Sequence, residues 1–254
     1  MTDINSLAQQ LCHARRFRSF VTFTPAIACN SAADAYGVQA EVAAGLGQSV
    51  AGWKVGIGPD NIPMAAPILT GDLVADGGRF ELSGDCRSVK VEAELALRLG
   101  RDLPARHGGA YTREEILAAV SDVFCGIELV HTRFSNEADT DFHTKLADNF
   151  AHGAYAIGGR TTSFAGLDLS GLQCRVVRDG AVMSDRPGGH PLGDPLVPVM
   201  AWAAEQCDKL GGLRAGQFIT TGTLIDPFAV DTASKIETRL TGVGSASIAI
   251  TSIG

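Results

Sequence analysis

Apolar side chains repeat at helical spacing in two stretches near the N-terminus. Four of them fall on one face of residues 4–18, and a second apolar stripe lies within residues 31–44. Ser31 precedes that second stripe and can cap a helix. A capping-box pattern begins at Thr112, and residues 194–209 form a further apolar periodic run. The pattern therefore predicts four helices.

Shorter apolar runs bounded by glycine or turn residues predict strands. The strongest is Val89–Leu99, where apolar and polar positions alternate. The other predicted strands are 50–58, 79–82, 123–130, 151–159, 172–179, 218–223, 235–240 and 246–251. Strands outnumber helices in the second half without regular alternation between the two. A mixed α+β, β-rich fold is the class that this order favours.

Length and composition narrow the class of protein. The chain has 254 residues, of which 45% are hydrophobic, and its mean hydropathy is +0.12. One domain with a substantial core is expected. The net charge of −7 makes a nucleic-acid partner improbable. Six dispersed cysteines, the lack of a signal peptide and the lack of a long apolar run predict a cytoplasmic protein that does not enter a membrane.

The first candidate for chemistry is an acidic pair in the Val89–Leu99 run. Strand alternation places Glu92 and Glu94 on the same face, with Cα atoms roughly 6.5–7 Å apart. Two like charges so close together cost free energy unless water or a cation separates them. A solvent-facing strand with interspersed charges is the plain alternative.

A third carboxylate, Glu128, lies in an almost entirely apolar run. An ionised carboxylate in such a setting needs a partner. If it met Glu92 and Glu94, the three would form an all-oxygen site suited to Mg²⁺ or Mn²⁺. A buried salt bridge to an arginine is the alternative for Glu128.

The chain has only five lysines beside sixteen arginines, so the sequence surroundings of each lysine help to indicate its role. Lys54 is flanked by apolar residues and glycines, and burial there would lower its pKa and prepare it for proton transfer. A lysine that extends to solvent from a strand edge is the alternative. His190 lies in a loop before a predicted helix, whereas His131, His143 and His152 have no metal-ligand spacing and favour a structural role.

Seven motifs in the same order resemble the fumarylacetoacetate hydrolase superfamily. They are GWKVG (52–56), VEAELA (91–96), RDLP (101–104), GIELV (126–130), LADN (146–149), GHPL (189–192) and ITTGT (219–223). Within that superfamily the chain is most similar to the 2-hydroxypentadienoate (2-keto-4-pentenoate) hydratases and the 4-oxalocrotonate decarboxylases. The likeness runs from about residue 30 to the end.

The resemblance implies a β-roll with a small helical N-terminal region at 1–50 and a metal-binding catalytic domain at 51–254. It implies that Mg²⁺ or Mn²⁺ is held by Glu92, Glu94 and Glu128. It also implies an active-site pair of Lys54 and Asp72. Substrate contacts are expected from Asp148, Asn149, His190 and Thr221, with Thr221 near the substrate carboxylate.

The implied activity is hydration of a 2-hydroxy-2,4-dienoate to a 4-hydroxy-2-oxo acid in aromatic-compound catabolism. The alternatives are a 2-oxo acid decarboxylase, an acylpyruvate C–C hydrolase, and a metal-stabilised assembly subunit without chemistry. The hydrolase needs a His–Glu pair near the N-terminus, and no convincing HisXaaXaaGlu-like pair occurs early in the sequence. A homo-oligomer is implied, with a partner hydratase or decarboxylase as a further expectation.

Overall fold

A computed structural model describes residues 3–106 and 109–252. The helices are α1 (Ile4–Phe17), α2 (Ala32–Leu46), α3 (Arg113–Ala119), α4 (Phe142–Ala147) and α5 (Leu196–Glu205). Ser31 caps α2 by accepting a hydrogen bond from the backbone of Asp34, and Thr112 caps α3 in a complete capping box. The four helices that the sequence predicts are confirmed, and the short α4 is additional.

The chain contributes thirteen described strands, and most of them lie where the apolar runs predict them. The strands are β1 (Val50–Ile57), β2 (Pro63–Leu69), β3 (Leu73–Ala75), β4 (Gly78–Leu82), β5 (Val89–Leu99), β6 (Val120–Val130), β7 (His152–Thr161), β8 (Gln173–Arg178), β9 (Ala181–Pro187), β10 (Phe218–Thr223), β11 (Phe228–Val230), β12 (Ser234–Leu240) and β13 (Gly244–Ser252). The β-rich α+β class is therefore confirmed.

Two mixed sheets organise these strands. The larger has the order β2-β1-β10-β5-β6-β7-β3, with β11 paired to β5, and the smaller has the order β4-β13-β12-β8-β9. Strand β1 runs parallel to β10, although about 165 residues separate them in the chain. This pairing brings residues 50–57 beside residues 218–223.

Both faces of the large sheet are buried near its centre. One face joins the main core with the helices and the small sheet, and there Trp53 of β1 packs against Trp202 of α5 with ring centroids 6.3 Å apart. The opposite face holds a separate apolar cluster that consists of Ile68, Ala96, Phe124, Tyr155 and Phe218. Polar side chains beside this cluster, such as those of Glu94 and Thr220, are consequently removed from water.

Helices α1 and α2 fall inside the N-terminal region expected at residues 1–50, and β1 begins at its last residue. No cysteine of the described part of the chain forms a disulfide, and Cys207 alone among the six is exposed. Among the described helices, none has both the length and the apolar character that a membrane crossing requires.

Candidate metal centre

Strands β5 and β6 bring the three predicted carboxylates together. They pair antiparallel, with Glu92 opposite Glu128 and Glu94 opposite Gly126. One oxygen from each of Glu92, Glu94 and Glu128 lies within 4.8 Å of the other two. Glu94 and Glu128 are fully buried, so the alternative of a solvent-facing acidic strand is wrong.

The free oxygens of this cluster fit a divalent cation. Oε1 of Glu94 and Oε2 of Glu128 are buried and have no hydrogen-bond partner. Unpaired buried oxygens carrying like charge are costly, and a hard cation such as Mg²⁺ accepts carboxylate ligands of this kind. The donor set contains only oxygen, which does not favour zinc.

The other oxygen of Glu128 is held by two donors from neighbouring strands. Lys54 Nζ donates to Oε1 at 2.8 Å, and His152 Nδ1 donates to the same atom at 2.9 Å. The partners of Glu128 are therefore a lysine and a histidine, and the alternative of a salt bridge to an arginine is wrong. Lys54 lies on β1, between β2 and β10, so the alternative of a strand-edge position is wrong as well.

Crowding of charge sets the protonation of this face. Burial and Glu128 raise the pKa of Glu92 to about 7, and burial with both neighbouring carboxylates raises the pKa of Glu94 well above its usual value. Burial opposes ionisation of Glu128, but Lys54 and His152 outweigh it and lower the pKa of Glu128 to about 2. Burial likewise opposes the charge on Lys54, yet the three carboxylates raise the pKa of Lys54 above its ordinary value. The expectation that burial lowers the pKa of Lys54 is therefore wrong, because the carboxylates that face it dominate.

A hydrogen-bonded chain orients Glu94. Thr220 Oγ1 donates its hydrogen to Glu94 Oε2. The Tyr155 hydroxyl lies 3.0 Å from Thr220 Oγ1 and therefore donates a hydrogen bond to Thr220 Oγ1. Gly126 gives the ring its space, because a Cβ there would lie 2.0 Å from the Tyr155 hydroxyl oxygen. Partners of this kind fix the direction in which a carboxylate presents its free oxygen.

Thr221, which the sequence predicts near the substrate, faces the other way. Its hydroxyl donates to the Leu95 carbonyl at 3.0 Å, and Thr220 rather than Thr221 contacts the acidic cluster. Strand alternation explains the difference, because adjacent residues point to opposite faces. A substrate contact by Thr221 stays a prediction.

Asp72 lies next to the cluster but does not contact Lys54 directly. Its Oδ2 accepts a hydrogen bond from the Leu69 backbone at 3.3 Å, and its charged neighbours are Arg15, with Nη1 at 3.4 Å, and His152, whose Nε2 lies 3.8 Å away. His152 thus lies between Asp72 and Glu128 but is hydrogen-bonded only to Glu128. Sequence spacing gave no signal for His152, because its partners lie on other elements.

A strained turn precedes His152. Asn149, Phe150 and Ala151 all have positive φ, between 47° and 61°, a conformation that costs free energy in residues other than glycine. The Asn149 amide donates to the Pro67 carbonyl at 3.0 Å, and the Phe150 carbonyl lies 3.5 Å from Lys54 Nζ. The turn thus directs a backbone oxygen at Lys54.

The two remaining predicted contacts are engaged with the protein itself. Buried Asp148 accepts a hydrogen bond from the backbone of Arg133 at 2.9 Å and faces its guanidinium at 3.5 Å. His190 donates from Nε2 to the Thr221 carbonyl at 2.7 Å and accepts at Nδ1 from the Leu192 backbone. Substrate contact by either residue stays a prediction.

Comparison with known proteins agrees with this architecture. Residues 63–251 match the family described as fumarylacetoacetate (FAA) hydrolase C-terminal. A 2-keto-4-pentenoate hydratase from Paraburkholderia xenovorans (strain LB400) is 33% identical over 226 residues, which cover 84% of this chain and 81% of the relative. A 4-oxalocrotonate decarboxylase from Pseudomonas putida is 31% identical over 179 residues, which cover 68% of this chain and 64% of that relative.

A solved structure extends the similarity over nearly the whole chain. The 4-oxalocrotonate decarboxylase from Pseudomonas putida G7, complexed with calcium and acetate, superposes with a TM-score of 0.82. The two sequences are 25% identical, and the match covers 98% of this chain and 97% of the other. The same enzyme has also been solved with magnesium and adipate.

Proposed function

Because the chain belongs to the fumarylacetoacetate hydrolase family, we propose that it is a divalent-metal-dependent lyase that hydrates a 2-hydroxy-2,4-dienoate of the 2-keto-4-pentenoate type to a 4-hydroxy-2-oxo acid. The observation that carries this proposal is the cluster of Glu92, Glu94 and Glu128 beside Lys54. The relatives named as hydratases support the choice of reaction.

In this proposal Glu92, Glu94 and Glu128 hold Mg²⁺ or Mn²⁺. The bound cation supplies a Lewis acid that stabilises negative charge on the carboxylate and 2-oxygen of a 2-oxo acid. Thr220 and Tyr155 orient Glu94, while Lys54 and His152 hold Glu128, so each of these two carboxylates keeps one oxygen for the cation.

Lys54 is the proposed proton carrier of the site. Its ammonium group is directed by Glu128 Oε1 and the Phe150 carbonyl. It would donate a proton from Nζ to the terminal carbon of the dienol during ketonisation and take back the proton that the 2-hydroxyl group releases. Water would then add across the remaining carbon–carbon double bond, with its oxygen bonding to C4 and its proton to C3. Asp72 would act as the acidic partner of this proton transfer, and its Oδ2 lies 3.8 Å from His152 Nε2. Asp148, Asn149, His190 and Thr221 are proposed to shape the substrate pocket from the segments on which they lie.

Turnover of two substrates separates the hydratase from its main alternative, a decarboxylase of the 4-oxalocrotonate type. The purified protein is supplied with Mg²⁺ or Mn²⁺ and either 2-hydroxypenta-2,4-dienoate or 4-oxalocrotonate, and loss of the dienoate and release of CO₂ are followed in parallel. Metal-dependent loss of the dienoate without CO₂ release supports the hydratase, whereas CO₂ release from 4-oxalocrotonate favours the alternative. Cleavage of acetylpyruvate in the same assay would instead favour the C–C hydrolase.

The assembly state forms a separate part of the proposal. We expect a homo-oligomer in the cytoplasm that associates with a partner hydratase or decarboxylase and binds neither nucleic acid nor a membrane. Light scattering on the purified chain measures the first of these expectations. Binding of metal with a higher melting temperature, but without turnover of any of the three substrates, would favour the assembly subunit without chemistry.

A further inference from the structure

A cavity of about 310 Å³ is lined by Asp72 and by residues outside the acidic cluster. Its walls come from α1, the segment 71–74, β4, and the ends of β6 and β7. None of the three clustered carboxylates lines it. The volume is at the lower end of the range for small-molecule pockets, about 300–1,000 Å³, so an occupant must be small.

Four arginines line this cavity, and Asp72 is the one carboxylate among the described residues of its wall. They are Arg15, Arg18, Arg79 and Arg133. The concentration of positive charge is unexpected in a chain whose net charge is −7. Such a local excess attracts and holds anions.

Arg15 carries the most specific signal. Its side chain is 7% exposed, and its contact with Asp72 is made by Nη1 alone, at 3.4 and 3.5 Å from the two carboxylate oxygens. Nη2 is buried without any hydrogen-bond partner. A buried guanidinium with one unpaired nitrogen has an unsatisfied donor, and an oxyanion supplies the kind of acceptor that would satisfy it.

Two of the other arginines are fixed in place by the protein. Arg133 donates to the carbonyls of His131 and His152, and Arg18 lies over the Phe80 ring with its central carbon 4.4 Å from the centroid. The positive charge also acts on the neighbouring His131. Burial together with Arg133 and Arg18 lowers the pKa of His131 to about 4. The site is therefore preorganised, which lowers the entropic cost of binding.

We propose that this cavity binds a small multivalent oxyanion, with carboxylate or phosphate groups, through Arg15 Nη2 and the surrounding guanidinium groups. Asp72 occupies the Nη1 side of Arg15, so the anion approaches from the Nη2 side and keeps the Arg15–Asp72 pair. The site contains none of the three carboxylates of the proposed metal centre, although it shares Asp72 with the proposed active site, and it does not depend on the reaction catalysed there.

Calorimetric titration with inorganic phosphate and with succinate tests the proposal. Each anion is titrated at constant ionic strength set by chloride, once with Mg²⁺ and once after chelation, so that binding to a cation at the carboxylates is measured separately. We expect saturable binding of at least one anion after chelation, with a dissociation constant of about 1 mM or lower. A phosphate preference indicates a phosphorylated ligand, and a succinate preference indicates a dicarboxylate.

Three variants locate the binding. Arg15→Gln should weaken it about ten-fold or more, and Arg79→Gln, on the exposed rim, should weaken it less. Arg160→Gln makes the same charge change at an exposed position outside the cavity and should bind like the wild type. If Arg15→Gln fails to fold, the Arg79→Gln titration and a saturable shift of the His131 ring signals in NMR serve instead. Equal binding by all three variants, or no saturation with either anion, overturns the proposal.

Discussion

The acidic cluster concentrates negative side chains and the arginine cavity concentrates positive ones, and the two regions adjoin at Asp72 and His152. They differ in how their unpaired atoms are placed. The carboxylates direct their unpaired oxygens into a buried space between adjacent strands. The arginines surround an open cavity of about 310 Å³. A dehydrated ion suits the first region and a small molecular anion the second, so the same repulsion between like charges prepares two different kinds of site.

The largest effect is expected from Glu94→Gln, which removes one of the three carboxylates without changing its volume. Turnover that depends on metal should fall about 1,000-fold or more, because several kcal/mol of charge stabilisation is lost. The metal-free variant should be at least as stable as the metal-free wild type, since the crowding of like charge is relieved.

Activity with added Mg²⁺ and thermal unfolding after chelation measure these two effects of Glu94→Gln. The matched control is Glu237→Gln, which alters an exposed glutamate paired with Lys235. Full activity of Glu94→Gln without divalent metal would contradict the assignment of the acidic cluster.

Lys54→Met tests the role of the Lys54 ammonium group, which faces the acidic cluster. Loss of a positioned proton carrier should reduce kcat by about 10²–10⁴-fold with a smaller change in KM. Glu128 also loses one partner, which should lower the free energy of unfolding of the metal-free protein by about 3–5 kcal/mol, and bound metal should offset part of that loss.

Lys235→Met is the matched control for Lys54→Met, because Lys235 makes a 2.9 Å ion pair with Glu237 on the surface. Exposed pairs of this kind contribute at most about 1 kcal/mol. If Lys54→Met retained the kcat of the wild type, proton transfer by Lys54 would be ruled out.

Tyr155→Phe tests whether the acidic region depends on orientation as well as on charge. Without the phenol hydroxyl, Thr220 loses its donor and Glu94 is held less firmly, so metal affinity should fall about 10–100-fold. Titration with Mn²⁺ followed by electron paramagnetic resonance gives the affinity directly. Tyr111→Phe removes a hydroxyl that donates to the Pro104 carbonyl elsewhere and should leave the affinity unchanged.

Local pattern predicts much of the fold, because β5 and β6 owe their existence to their own apolar runs. The predicted and observed bounds of β5 are identical, and those of β6 differ only at the start. Strand β2 was not predicted, since Pro63 and Pro67 argue against a strand. It forms at the edge of the large sheet, where proline is tolerated.

The candidate site is only partly accessible to sequence reasoning. The three glutamates stand out because they are unusual within apolar strands. Tyr155, Thr220 and His152 do not, since an ordinary strand residue becomes a site residue only through pairing with strands far away in the chain. The arginine cavity was not predicted for the same reason, because Arg15 and Arg133 meet only after folding.

The smallest effect is expected in the arginine cavity, where His131 reports the positive field. The unfolded imidazole takes up a proton near pH 6.5, whereas the folded one does so near pH 4, because burial, Arg133 and Arg18 oppose its charge. The unfolded state therefore binds more protons between these values, and the free energy of unfolding decreases as the pH is lowered from about 6.5 towards 4. His131 is partly exposed, so its contribution should be about 1–2 kcal/mol after solvent screening. Urea unfolding of the wild type and His131→Gln across this range measures the difference in slope, and phosphate in the cavity should reduce that difference by offsetting the guanidinium charges. Parallel curves for the two proteins would show that neither burial nor the arginines lower the pKa of His131. The cavity would then lack the excess of positive charge that distinguishes it from the acidic cluster.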